Sequence, residues 1–384
     1  MRRLLVLGAG PAQLGLLEAA RARGDVHVIA VDRDPLAVGL PLADERAVLS
    51  SEDEQGIDRL ARAREVDGIV SPGADWPVGI AARVAERMGL AHPLDGATAA
   101  VATSKLRQRE RFAAAGVPHA RATTDLDAIA LPCVVKAVDR QGQRGLGLVT
   151  EAAQLESAIA EARAASRGGG VLVEELIVGP EVTVNAVSVD GVFVPLLVTD
   201  RVTAEPPAFG VALAHVAPSD AADERSVAAA KAAVESVGIS NGPSYTQLRV
   251  GADGPVVMEV AARLGGGHDA ELVHAATGVD LNALAVAFAL GEHPGAPAVE
   301  CRGGGAIVFL VPPAGELTRV DGVEAATAQA GVEWVRVYRA PGHVFGELRR
   351  GADRAGAVLA VGRDRSEALD RATRAAESIT FATE

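Results

Sequence analysis

The stretch Val256-Val257-Met258-Glu259-Val260-Ala261-Ala262-Arg263-Leu264-Gly265-Gly266-Gly267-His268 ends an apolar run on a carboxylate, sets an arginine four residues later and follows it with three glycines. A carboxylate at a strand end can hold Mg²⁺ between phosphates, because Mg²⁺ takes one or two protein carboxylates and completes its shell with phosphate oxygens and water. The arginine can neutralise a transferring phosphoryl group or a substrate carboxylate. A structural Glu259–Arg263 pair is the plainer alternative. His268 can accept a proton or recognise substrate, or it can be a satisfied structural histidine beside a loop.

Working towards the N-terminus, the chain holds only three lysines, Lys105, Lys136 and Lys231, among 37 basic residues. So strong a bias to arginine leaves lysine where a compact ammonium does something a planar guanidinium cannot. Lys105 opens a helix ending at Gly116-Val117-Pro118. Lys136 closes the apolar run Pro132-Cys133-Val134-Val135 and precedes a glycine stretch from Asp139 through Gly142 and Gly145 to Gly147. Free amides in such a loop can approach phosphate oxygens, and the glycines let it close as a lid. Lys231 has the setting of an exposed helix residue. Between these features lies Val173-Glu174-Glu175-Leu176-Ile177-Val178-Gly179-Pro180-Glu181, an acidic strand and turn able to meet an adenine amine and ribose hydroxyls. An exposed hairpin with ordinary glutamates is the alternative, and for Glu175 the preferred one.

The opening turn Gly8-Ala9-Gly10-Pro11-Ala12-Gln13-Leu14-Gly15, with Asp32 ending the next strand, imitates a dinucleotide fingerprint. Gln13 stands where the third glycine belongs, so the turn reads as a tight strand-to-helix connection. Strands at Leu4–Leu7, Val26–Val31 and Gly68–Val70 alternate with helices at Leu14–Arg23, Ile57–Arg64 and Val78–Met88, which gives an open α/β sheet. A mixed region follows, and a tail of strands near Ala306–Val311, Trp334–Tyr338 and Ala357–Val361 ends in a helix from Arg365 to Glu377.

A formal charge of −13 argues against general nucleic-acid binding, which needs a basic surface. Two distant cysteines, Cys133 and Cys301, give no disulfide framework and suit a reducing cytoplasm. The apolar run Leu281–Leu290 is too short to span a bilayer, so no membrane partner is expected.

Taken in order, these motifs resemble an ATP-grasp enzyme of the carboxylate–amine ligase group, which includes L-amino acid ligases. The resemblance implies an α/β and α+β chain: a Rossmann-like pre-ATP-grasp domain over 1–96, an ATP-grasp domain over 97–298 with a lid over about 118–190, and a small α+β C-terminal domain over 299–384. It implies ATP and Mg²⁺ as cofactors, small-molecule carboxylate and amine substrates and, by base rates, a homodimer. By that likeness Lys105, Lys136, Gly142 and Gly145 hold phosphates. Glu174, Ile177 and Glu181 meet adenine and ribose. Glu259 and Gln247 face the metal, and Arg263, Gly266, Gly267 and His268 face substrate. Two positions depart from the pattern: Gln247 stands where a second metal-binding glutamate is usual, and Ala261 where many members have asparagine. Ala261 is compatible with the amino acid ligase branch, whereas Gln247 supplies no negative charge. The readings left open are amide or peptide bond formation through an acyl-phosphate, a carboxylase-type reaction using bicarbonate or a purine intermediate, and ATP binding without catalysis.

Overall fold

The computed structural model describes residues 1–126 and 129–384. Its first sheet joins β1 (Arg2–Leu7), β2 (Val26–Asp32), β3 (Glu45–Val48) and β4 (Gly68–Val70), all parallel, in the order β3-β2-β1-β4. Near-continuous aliphatic strands are what a sheet covered on both faces requires. Leu4 and Val6 point to one side, against Leu16 and Leu17 of α1 (Leu14–Ala22). Leu5 and Leu7 point to the other, against Ile57 of α2 (Glu54–Ala63) and Ile80 and Val84 of α3 (Asp75–Met88). The opening turn is filled by the chain itself: Ala9 N donates to Asp32 Oδ2 at 2.8 Å, and Gln13 is buried against Gly8.

After α4 (Gly96–Ala102) comes α5 (Lys105–Ala115), capped by Ser104 and stopped by Gly116 in the left-handed region. The lid sheet then pairs β5 (Ala122–Thr123), β6 (Cys133–Ala137), β7 (Leu146–Val149) and β8 (Val171–Glu175) in the order β5-β8-β6-β7. One face of it is covered by α6 (Leu155–Ala165), through Ala162 against Cys133, Val135 and Val173. The lid boundary expected near residue 190 runs one strand too far. β9 (Glu181–Val189) leaves the lid and pairs inside the central sheet, because the Gly179–Pro180 turn redirects the chain.

That central sheet contains β9, β10 (Val192–Thr203), β11 (Ala212–Ala217), β12 (Gly242–Gly251), β13 (Gly254–Ala261) and β14 (Gly304–Leu310). Alternation over residues 181–186 of β9 decides its faces there, since successive side chains point to opposite sides of a strand. Val182 and Val184 pack on Ala230, Ala233 and Val234 of α7 (Glu224–Val237), while Glu181, Thr183 and Asn185 look the other way. α8 (Asp269–Thr277) and α9 (Leu281–Ala289) bend by 119° against each other; no single helix among the described residues is long and apolar enough to cross a membrane.

The tail adds β15 (Gly315–Asp321), α10 (Val323–Thr327), β16 (Val332–Val337), β17 (Val344–Phe345), β18 (Gly356–Gly362), α11 (Arg365–Glu377) and β19 (Thr380–Thr383). Residues 299–384 do not form a sheet of their own throughout. β14, β18 and β16 continue the central sheet through β11, in the order β13-β12-β9-β10-β11-β14-β18-β16, and only β17-β15-β19 stand apart. The sequence expectation missed β11, whose pairing to both β10 and β14 makes that continuity possible.

Candidate active site

The polar face of the central sheet is built in rungs. Thr199, Thr183, Gln247 and Glu259 are successive cross-strand partners over β10, β9, β12 and β13. Arg201, Glu181 and Arg249 form the next rung. A bulge after Gln247 shifts the β12–β13 register but leaves Gln247 directly opposite Glu259. Glu181 accepts from Arg201 and Gln247, and from Arg249 Nη2 at 3.3 Å. Beside it opens a cavity of about 650 Å³, lined among others by Leu176, Ile177, Glu181, Arg201, Phe209 and Arg249. Apolar walls with a carboxylate at one end suit a nucleoside.

A narrower crevice lies at the other end of the rungs and includes Asp75, Lys105, Gln108, Arg140 and Glu259. Lys105 Nζ donates to Arg140 O at 2.6 Å and stands 3.3 Å from Glu259 Oε2. Burial pushes the Glu259 carboxyl up, but Lys105, Lys136 and Arg263 outweigh it and hold it at about 2. Its position is fixed from behind. Gln108 accepts from Val260 N at 3.0 Å and donates to Val260 O at 2.8 Å, while Arg109 Nη2 donates to Met258 O at 2.6 Å.

Lys136 sits deeper. Glu174 pairs with both Lys136 and Arg109, and its side chain has no exposure. Burial would raise the Glu174 carboxyl, but the two cations hold it low. Burial, only partly offset by Glu174, pushes the Lys136 ammonium down. Two cations sharing one carboxylate leave a net positive charge beside Glu259. Glu174 therefore lies beneath the cavity wall, where it holds Lys136; it does not line the cavity.

Arg263 binds Asp75 Oδ1 at 2.5 Å and its neighbour Leu264 O at 2.7 Å. Within the glycine run, a Cβ on Gly267 would come 2.6 Å from His215 Cε1, so glycine is needed for close approach. Gly267 N donates to Asp269 Oδ2 at 3.2 Å, and Asp269 pairs with buried His215 at 3.0 Å. Gly266 is the exposed member of the run. His268 is turned away: Nδ1 meets Glu271 at 3.0 Å, Nε2 meets the Tyr338 hydroxyl at 2.5 Å, and the ring lies against Trp334. Its structural alternative is the arrangement seen. In the loop after β6, Gly145 has φ +66 with Ala165 Cβ 2.7 Å from where its own Cβ would be, whereas Gly142 stands in open space. Gln141 docks that loop on the first domain, accepting from Asp75 N and donating to Gly73 O at 3.3 Å.

Lys105, Lys136, Glu259 and Arg263 are thus brought together, Ile177 and Glu181 line the cavity with Gln247 bonded to Glu181, and His268 falls outside. Gln108, Arg109 and Asp75 were missed. The first two had a signal: Lys105, Gln108, Arg109 and Phe112 fall at helical spacing on one face of α5, which places polar groups at core positions.

The donor set fits a hard cation held with phosphate. Glu259 supplies one carboxylate and Gln247, directly opposite, one amide; no cluster of three or more His, Cys, Asp or Glu occurs among the described residues. One carboxylate plus phosphate oxygens is within the range Mg²⁺ accepts.

A nucleoside-sized cavity, a crevice that sets Lys105 beside Glu259 and a glycine loop docked over a mixed sheet are the parts of a nucleotide-binding site. A family model described as ATP-grasp domain matches residues 129–271, and one described as L-amino acid ligase C-terminal domain 2 matches residues 308–384. A Sinorhizobium fredii protein described as uncharacterized protein y4rH is 30% identical over 99% of this chain and 83% of its own. The solved L-amino acid ligase of Bacillus licheniformis superposes with a TM-score of 0.84 at 20% identity, covering 100% of this chain and 99% of that one. Phosphoribosylglycinamide synthetase of Anaerococcus prevotii gives 0.79 at 19%, with both chains covered fully. The chain belongs to the ATP-grasp family, within its carboxylate–amine ligase group, and is an ATP-using ligase.

Proposed function

We propose that this ligase joins a carboxylate to an amine as an amide or peptide bond, with ATP converted to ADP and phosphate. The observation that carries the reading is the convergence of Lys105, Lys136 and Arg263 on Glu259. Three cations gathered on one carboxylate set N–H donors where the oxygens of a triphosphate can be met. The reaction's obstacles are repulsion between a carboxylate and a phosphate and a poor leaving group. In this reading the substrate carboxylate attacks the γ-phosphorus to give an acyl-phosphate, and an amine then displaces phosphate. Lys136, with Glu174 and Arg109 fixing it, and Lys105 steady the phosphate oxygens; Arg263, braced by Asp75, steadies the acyl-phosphate and tetrahedral oxygens. Glu259, with Gln247 opposite, would hold Mg²⁺, which supplies charge neutralisation of the phosphates. Ile177 and Glu181 line the nucleoside cavity. No side chain is assigned as general base, since His268 has both nitrogens engaged and His215 is buried.

The match of residues 308–384 to an L-amino acid ligase domain supports amine over bicarbonate as the second substrate. The test is a phosphate-release screen of amino acids and small carboxylates, omitting amine, carboxylate or bicarbonate in turn, with mass spectrometry of the products. Release that needs both a carboxylate and an amine, with an amide product, supports the proposal. Release that needs bicarbonate selects the carboxylase-type reaction. ATP binding with no release across the panel selects a non-catalytic role.

A further inference from the structure

Arg354 is a guanidinium held in place by backbone carbonyls and an aromatic ring. Its Nε donates to Gly351 O at 2.8 Å and its Nη1 to Ala212 O at 3.2 Å. The Phe309 ring lies under it, 3.6 Å from Cζ to the ring centroid. Nη2 makes no hydrogen bond, and Arg354 makes no ion pair, among the described residues. Two arginines of the site differ: Arg201 has Glu181, and Arg263 has Asp75. The place matters as much as the vacancy in its pairing. Phe309 meets His215 edge-on at 5.5 Å, and the His215 ring directly underlies Gly267 of the substrate-side glycine run. From the lid, Gln143 Oε1 reaches within 3.5 Å of where a Cβ on Gly351 would stand, beside Arg354 Nη2. Arg354 is therefore set between the lid tip, β11 and the tail, one ring's breadth from the run that follows Arg263. Burial pushes its guanidinium down to about 10, with Arg201 adding to the fall and Tyr338, Asp269 and Tyr245 opposing it. A cation so placed is relieved by an anion.

We propose that Arg354 anchors a substrate carboxylate that is not itself phosphorylated, with two N–H groups spent on protein carbonyls to aim the third edge at the ligand. A guanidinium oriented in advance is suited to a planar carboxylate. The inference rests on the ligase reading only in taking the ligand to be a substrate. That carboxylate has two possible sources: the α-carboxylate of an amino acid serving as the amine, or a second carboxylate on an acidic donor.

The test is calorimetry on the full chain with MgADP present, titrating each of the twenty proteinogenic L-amino acids, the α-amide of any that binds, and succinate against propionate. Binding of amino acids but not their amides identifies the amine-side source, and a preference for succinate over propionate identifies the donor. In either case Arg354→Gln should weaken the carboxylate ligand by about 10- to 100-fold, the cost of one charged hydrogen-bond pair. ADP affinity should hold, and Arg354→Lys should recover part of the loss. Melting curves identify any variant that fails to fold, and Arg354→Lys, which keeps the charge, carries the comparison should Arg354→Gln not fold. Equal binding of acids and amides, equal affinity in folded Arg354→Gln, or no carboxylate bound by the wild type would each overturn the proposal. Failure of the ligase reading shows separately, as phosphate release without an amide product.

Discussion

Lys105 Nζ stands 3.3 Å from Glu259 Oε2 and donates at 2.6 Å to Arg140 O in the glycine loop. One ammonium thus ties the Glu259 carboxylate on β13, which we propose faces the metal, to the glycine loop. The loop's docking on the first domain through Gln141 completes the closure. Closure in this fold is carried by a few polar contacts, which a nucleotide can rearrange as it enters.

Lys105→Ala removes the ammonium from both jobs. ATP affinity measured by calorimetry should fall about 10- to 100-fold, the scale of a charged hydrogen bond lost. Lys105→Arg should not restore it, because a forked guanidinium does not reproduce a point charge in a crevice this narrow. Full affinity in either variant would remove Lys105 from the phosphate site.

Gln247 is one of the two departures from the family pattern, and the structure gives it work: its amide donates to Glu181 while facing Glu259 across the strands. Gln247→Glu would add a second carboxylate to the metal rung and withdraw a donor from Glu181. The Mg²⁺ concentration that half-saturates ATP binding should drop on the order of tenfold, since charge count sets the affinity of such sites. Nucleotide affinity at saturating Mg²⁺ should weaken through repulsion between the new carboxylate and Glu181. A Mg²⁺ titration that does not move would place Gln247 outside the metal shell.

Glu174 carries the charge balance under Lys136 and Arg109. Glu174→Ala leaves two buried cations without a counter-ion, and the loss of one partner from such a group costs about 3–5 kcal/mol. Urea denaturation monitored by circular dichroism should show it. Glu175, only one residue on, pairs with the exposed Arg121, so Glu175→Ala should cost under about 1 kcal/mol. Similar losses at both positions would contradict the burial assigned to Glu174.

Much of this was legible because period and burial coincide. The helix 365–377 and the strand 68–70 appear at the residues the sequence pattern suggests. Lys105, Lys136, Glu259 and Arg263 stood out through scarcity or spacing. What stayed hidden depends on distant partners. Asp75 meets Arg263 across 188 residues, and Arg354 is defined by the carbonyls of Gly351 and Ala212 and by Phe309. β11 was obscured because Ala212–Ala217 is short, alanine-rich and follows a Pro-Pro turn. His268 sat beside glycines in sequence, yet its ring lies against Trp334 and Tyr338, contacts no local pattern announces.

The joint around His268 makes a prediction about acid. Burial would raise the Glu271 carboxyl, but His268 and Arg336 outweigh it and hold it at about 2, against an ordinary 4.5. Glu18, facing the same Arg336, is instead raised, first by burial and also by Glu271. A carboxyl depressed on folding contributes stability that is complete above its unfolded value and drains as pH falls through the folded one. Glu271 should therefore stabilise the protein fully above about pH 4.5 and progressively less from there to pH 2, with a slope of at most about 1.4 kcal/mol per pH unit. Glu271→Gln keeps the shape and removes the titration. The melting temperature of the variant should lie below that of the wild type at neutral pH, and the gap should narrow as pH drops from 4.5 towards 2. A gap that is constant across that window would mean that His268 and Arg336 do not hold the Glu271 carboxylate as the geometry indicates.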